Sequence, residues 1–210
     1  MRPVLYHSAG SSSSWRVRIV LALKELDFES VLVDFAAGEQ RSEAFRRVSP
    51  LRQVPCLVLD GEPLSQSVAI AEHLDERHPA PRLIPERVRV RQVVEIVGSG
   101  IQPLQNGGLD ASLMKAFGAE PAAVAAWKRH WLDRRLDSLE QMLARLAGRF
   151  CIGDALSLAD VFLYPQLERS RDFGVRLEDR PTLARLVAML RCHPGFEDTS
   201  PAAVIRSIAG

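Results

Sequence analysis

The sequence predicts an α/β first domain followed by an all-helical second domain. Strand and helix signals alternate over the first 78 residues. A stiff, proline-punctuated stretch from Pro79 to Pro85 follows. Beyond it, strand signals give way to apolar stripes at helical spacing. The expected bounds are 1–79 for the first domain, 80–87 for a linker and 88–210 for the second.

Pro3-Val4-Leu5-Tyr6 is short and β-prone, and the serine run Ser11 to Ser14 leads into a helix over Trp15 to Leu26. Val31 to Val33 reads as a second strand, and Ser42 to Val48 as a short helix stopped before Pro50. Cys56 to Leu59 and Pro63-Leu64 flank Asp60-Gly61, a strong hairpin signal. From Ser67, positions 68, 70, 71 and 74 make an apolar helix face that Pro79 ends. In the second domain Val90, Val93, Val94, Val97 and Ile101 form a stripe, with a kink expected near Gln102. Leu132, Leu136, Leu139, Leu143 and Leu146 form a second stripe, and Leu183, Leu186, Val187 and Leu190 a third.

Composition is that of a globular chain, 47% hydrophobic and 25% charged, with a net charge of +1. That balance argues against a nucleic-acid partner. The apolar runs of about five residues argue against a membrane span, which needs roughly 18. The segment Met1 to His7 lacks a signal-peptide apolar region, so a cytoplasmic location is expected. Cys56, Cys151 and Cys192 form no close pair, and the five histidines make no metal-binding spacing, so neither disulfides nor a metal site is expected. No GxSxG, Walker or GxGxxG motif occurs.

Four segments have a chemical as well as a structural reading. Ser11-Ser12-Ser13-Ser14-Trp15-Arg16 sits at a strand-to-helix turn, where free amides and a hydroxyl suit a thiolate; the plain alternative is helix capping. Val54-Pro55 starts a strand; a cis bond there would turn the Val54 backbone outward to pair with an extended peptide, although most X-Pro bonds are trans. Ser65-Gln66-Ser67 is another helix start, suited to a carboxylate, with an N-cap serine as its plain alternative. Ser157-Leu158-Ala159-Asp160 reads as a capping box, a folding device.

Together with Ile101-Gln102-Pro103-Leu104-Gln105-Asn106, these segments resemble the glutathione S-transferase superfamily over essentially the whole chain. The closest class is zeta-like, which includes maleylacetoacetate and maleylpyruvate isomerases. The resemblance implies a thioredoxin-like N-terminal domain, an all-α C-terminal domain, glutathione as cofactor, a small electrophilic substrate, a homodimer and a place in aromatic amino acid catabolism. It assigns catalysis to Ser11, Ser12 and Ser13. It assigns glutathione binding to these three with Ser14, Trp15, Arg16, Gln40, Val54 (with Pro55 cis), Gln66, Ser67, Gln102 and Asn106.

Two positions depart from the class. Ser13 stands where most zeta enzymes carry cysteine, so covalent thiol chemistry is lost there. Gly10 replaces an arginine that resembles a clamp for a dianionic substrate, and Arg171 is the candidate substitute, with a solvated helix charge as its alternative. The serine turn suits isomerase and transferase equally. A detoxifying transferase, dehalogenase or peroxidase stays open, as does a non-catalytic interaction protein of this fold, resembling the bacterial stringent-starvation proteins.

Overall fold

The computed structural model describes residues 2–209 and divides into two compact units, Met1–Leu83 with Arg191–Gly210, and Ile84–Leu190. In the first, β1 (Val4–His7) runs parallel to β2 (Glu29–Leu32) and antiparallel to β3 (Cys56–Leu59), which pairs antiparallel with β4 (Glu62–Ser65). The order β2-β1-β3-β4 is the mixed four-stranded sheet of a thioredoxin-like domain. The β3–β4 hairpin turns on Asp60 (φ 53°) and Gly61 (φ 88°), the paired left-handed residues that a tight two-residue turn requires. Helix α1 (Ser12–Leu23) starts three residues earlier than the pattern predicts and is buried on nearly every side from Ser13 to Leu21. Helices α2 (Glu43–Val48) and α3 (Ser67–Arg77) complete the layer, with α3 against α1.

A buried ammonium anchors the end of this segment. Lys24 Nζ donates to Asp75 Oδ1 at 2.6 Å and to the carbonyls of His78 at 2.6 Å and Pro81 at 2.5 Å. Asp75 Oδ1 also accepts from the Leu83 amide at 2.8 Å, so both charges are compensated, as burial demands.

The second unit is helical. Helix α4 (Arg87–Glu95) opens into a wide π turn over Ile96–Ile101 and tightens into a 3-10 turn over Gln102–Gln105, the interruption expected near Gln102. Helices α5 (Gly107–Phe117), α6 (Pro121–Leu146), α7 (Leu158–Ser170) and α8 (Pro181–Arg191) follow. Leu132, Leu136, Leu139 and Leu143 form the buried stripe of α6, and α4 packs on α7. Ser157 and Asp160 form the predicted capping box at the start of α7. Arg180 ties α6 to the α8 approach through Asp137 at 2.8 Å and Asp133 at 3.0 Å.

One boundary differs from the reading of the sequence. Helices α9 (Pro194–Glu197) and α10 (Pro201–Ala209) group with the first unit rather than with the helical one. The physical reason is a set of hydrogen bonds to α1: Trp15 Nε1 donates to the Phe196 carbonyl and Thr199 Oγ1, each at 3.2 Å, and Arg18 Nε donates to the Thr199 carbonyl at 2.9 Å.

Candidate functional site

The sheet register brings three of the predicted segments to one end of the first unit. Tyr6 pairs with Cys56 and Cys56 with Ser65. The turn after β1, the residues before β3 and the residues after β4 therefore emerge at the same sheet end. These are Ser8 to Ser11, Val54-Pro55 and Gln66-Ser67.

At the first, Ser11 is the N-cap of α1, and its Oγ accepts from the Ser14 amide at 3.2 Å. That bond leaves the Ser11 hydroxyl proton for another acceptor. The amides of Ser12 and Ser13, at the first two helical positions, have no backbone partner among the described residues. Amides and macrodipole together favour an anion here. At the second, the Val54–Pro55 bond is cis. At the third, Gln66 holds φ 73°, ψ 116° as N-cap of α3 without a side-chain cap, a strained backbone for a residue with a side chain. Its Nε2 lies 3.5 Å from Gln53 Oε1, a neighbour that the sequence pattern does not single out. Ser67 is the first helical residue, so the capping serine that the sequence allows at this start is replaced by a strained glutamine.

Three assignments implied by the resemblance move from ligand contact to framework. Ser14 is fully buried inside α1, and its Oγ faces back to the Ser8 amide at 3.5 Å. The Trp15 indole N–H is taken by the C-terminal segment. Arg16 is fully buried, and desolvation pulls its pKa down to about 9. Helix α1 is buried on nearly every side from Ser13 to Leu21. Gln40, in a 3-10 turn over Glu39–Arg41 after β2, has an Oε1 closed off from solvent without a hydrogen-bond partner among the described residues.

The remaining assigned residues lie on the second unit. Gln102 Nε2 donates to Asn106 Oδ1 at 3.2 Å. Arg171, about half exposed, faces Glu168 at 3.7 Å and lines a cavity of about 350 Å³ with Val175, Arg176 and Leu177. Gly10 is outside the left-handed region, and a Cβ added there meets nothing within 4 Å. Among the described residues no cluster could hold a metal ion, and no helix is long and apolar enough to cross a membrane.

His7, at the end of β1, is buried between two partners. Arg18 Nη1 donates to Nδ1 at 3.1 Å, so the ring proton is assigned to Nε2, which donates to Ser30 Oγ at 2.7 Å. Burial, reinforced by the Arg18 charge, lowers its pKa to about 4. An unfolded histidine takes up a proton near pH 6.5 that folded His7 refuses until about 4. Its contribution is therefore complete above pH 6.5 and is lost as pH falls toward 4, by about 3 kcal/mol in all. Denaturant melts between pH 7 and 4.5 will show this slope, and His7→Asn will flatten it.

Residues 1–76 match the family described as glutathione S-transferase, N-terminal domain, and residues 122–191 its C-terminal domain. Maleylacetoacetate isomerase of Rattus norvegicus is 40% identical over 206 residues, covering 95% of this chain and 93% of its own length. The holo structure of a maleyl pyruvate isomerase, a bacterial zeta-class glutathione S-transferase, superposes with a TM-score of 0.90 at 36% identity, covering 95% of this chain and 97% of its own. Maleylacetoacetate isomerase from Anaeromyxobacter dehalogenans, solved with glutathione in its active site, gives a TM-score of 0.84 at 42% identity, over 95% and 94% of the two chains. The chain belongs to the glutathione S-transferase family. Within that family its likeness is to the zeta-class isomerases.

Proposed function

We propose that this chain is a glutathione-dependent cis–trans isomerase acting on maleylacetoacetate or maleylpyruvate. One observation carries the reading: the hydroxyl-bearing start of α1, Val54 and the strained start of α3 share one sheet end, in a chain that matches maleyl isomerases along nearly its full length. The residues fit glutathione. The α1 start offers a hydroxyl and amides to a thiolate, and the α3 start offers amides to a carboxylate.

Glutathione, when bound, would supply a thiolate whose reversible addition to the conjugated cis double bond permits rotation, the C–S bond then breaking to release the trans product and regenerate the thiolate. Ser11 holds its hydroxyl toward the sulfur and donates to it. The Ser12 and Ser13 amides add fixed donors, stabilising the charged sulfur over its protonated form. Val54 pairs its backbone with the cysteinyl unit, Gln66 and Ser67 hold the γ-glutamyl end, Gln40 the glycyl end, and the resemblance assigns Gln102 and Asn106 to glutathione binding as well. Arg171 supplies a cation for the substrate carboxylate.

The test is isomerisation of each maleyl substrate with and without glutathione. Turnover that requires glutathione and leaves the thiol titre unchanged is the expected result. Stoichiometric loss of thiol would identify a conjugating transferase instead, the reading that Gly10 favours. Gly10→Arg, at a backbone and space that accept a side chain, is expected to raise kcat/KM on the dianion about 10- to 150-fold, the value of one charged hydrogen bond. Arg171→Ala is expected to lower it. If neither changes the rate, charge recognition lies elsewhere, with Lys115 the next cation to replace.

A homodimer in the cytoplasm completes the proposal, on the strength of the family. Sedimentation at micromolar concentration is expected to give about twice the 23.3 kDa chain mass.

A further inference from the structure

The turn that presents Ser11 is held by a residue that the site assignment leaves out. Arg18 lies two turns into α1 and is 2% exposed. Its guanidinium fans across four acceptors. Nη1 donates to His7 Nδ1 at 3.1 Å and to the Ser8 carbonyl at 3.3 Å, and Nη2 to the Ala9 carbonyl at 3.2 Å. Nε donates to the Thr199 carbonyl at 2.9 Å. The last residue of β1, the first two of the turn after it and one of the C-terminal segment are thus fixed by one rigid, planar group.

That turn continues directly into the thiolate donors. The Ser8 carbonyl, one of the four acceptors, also accepts from the Ser11 amide at 3.2 Å. Any displacement of Ser8 and Ala9 is therefore passed to the Ser11 hydroxyl and the Ser12 and Ser13 amides. The C-terminal segment is secured a second time, since Thr199 Oγ1 and the Phe196 carbonyl both accept from the Trp15 indole. The guanidinium is charged and shielded from water, so its field also acts on an anion at the neighbouring helix start with little screening.

We propose that Arg18 is a positioning residue for the glutathione-activating turn, and that residues 196–199 are a strap that completes its setting. This rests on the isomerase reading above and adds to it a structural cause for the acidity of the bound thiol. Neither Lys nor a neutral side chain reproduces the fan. Lys retains the charge but has a single donor atom that cannot reach four acceptors in one plane.

The experiment compares Arg18→Lys, Arg18→Met and Trp15→Phe with the parent enzyme. The readouts are the ultraviolet absorbance of bound thiolate against pH, the pH profile of kcat/KM, and KM for glutathione separately from kcat. Arg18→Met is expected to raise the thiol pKa by about one unit and to lower kcat about 100-fold at pH 7, of which about tenfold is recovered at higher pH and the rest, lost with the geometry, is not. Arg18→Lys is expected to recover part of the pKa shift but not the geometry, so that kcat stays low. Trp15→Phe, which removes the indole donor to the strap, is expected to give a smaller shift in the same direction. A merely structural role would lower the melting temperature and the active fraction while leaving the pH profile of the folded fraction in place. Folded variants with an unchanged thiol titration overturn the proposal. If Arg18→Met fails to fold, Arg18→Lys and Trp15→Phe decide it by the same titration. Absence of any bound thiolate in the parent enzyme would instead overturn the isomerase reading, so the two failures are distinguishable.

Discussion

Ser11→Ala is expected to lower kcat by about 10- to 1,000-fold, the range for losing one preorganised donor to a developing charge. The Ser11 oxygen already accepts from the Ser14 amide, so its proton is the part available to the sulfur, and its direction is set by the cap. The same substitution removes an N-cap and lowers stability by about 1 kcal/mol. The two effects separate with Ser11→Asp. Aspartate keeps the cap, and with it the stability, but offers no proton and repels a thiolate. Activity should therefore stay low in a protein that melts like the parent. If kcat and the titration of the bound thiol are unchanged in Ser11→Ala, the donor is Ser12 or Ser13, and each is then replaced in turn.

Asp160→Ala carries the largest expected loss of stability. The carboxylate is fully buried, and its oxygens accept from the Cys151 amide at 2.8 Å and from the Ser157 amide and hydroxyl, each at 3.0 Å. Burial raises its pKa above the ordinary aspartate value, against the pull of those donors. Alanine leaves three donors unsatisfied in the interior and removes the Asp160 half of the α7 capping box, for a loss of about 3–5 kcal/mol. In a chain of this length that corresponds to a fall in melting temperature on the order of 10 °C. Asp160→Asn, which keeps an acceptor for part of the set, should lose less. A melt within 2–3 °C of the parent for Asp160→Ala would mean that the helix start is held by something other than this box.

Local signals made much of this legible. The capping box, the Asp60-Gly61 hairpin and the interruption at Gln102 all depend on residue types whose backbone preferences act within a few positions. The resemblance carried the cis bond before Pro55, where the residue types themselves point to trans. Gln66 shows the limit, because nothing in a glutamine announces a left-handed φ; the fold imposes it between β4 and α3. Trp15 and Arg16 show another. Their place in a ligand-associated motif suggested contact with the ligand, whereas the enclosure of α1 turns both inward. Arg18 escaped notice for a related reason. Three of its four partners are backbone carbonyls, which any residue presents.

The return of the chain's end to α1 bears on how such proteins can be recombined. A cassette cut at the linker carries the sheet and α1–α3 but leaves behind the acceptors of the Trp15 indole and the Arg18 Nε. Grafted onto a relative, it meets a foreign tail whose carbonyls must fall where those of Phe196 and Thr199 do. Exchange of N-terminal halves between family members is thus governed by compatibility with the segment Arg191–Gly210. A chimera that transfers both ends and replaces only the segment from Ile84 to Leu190 respects the module as it is built.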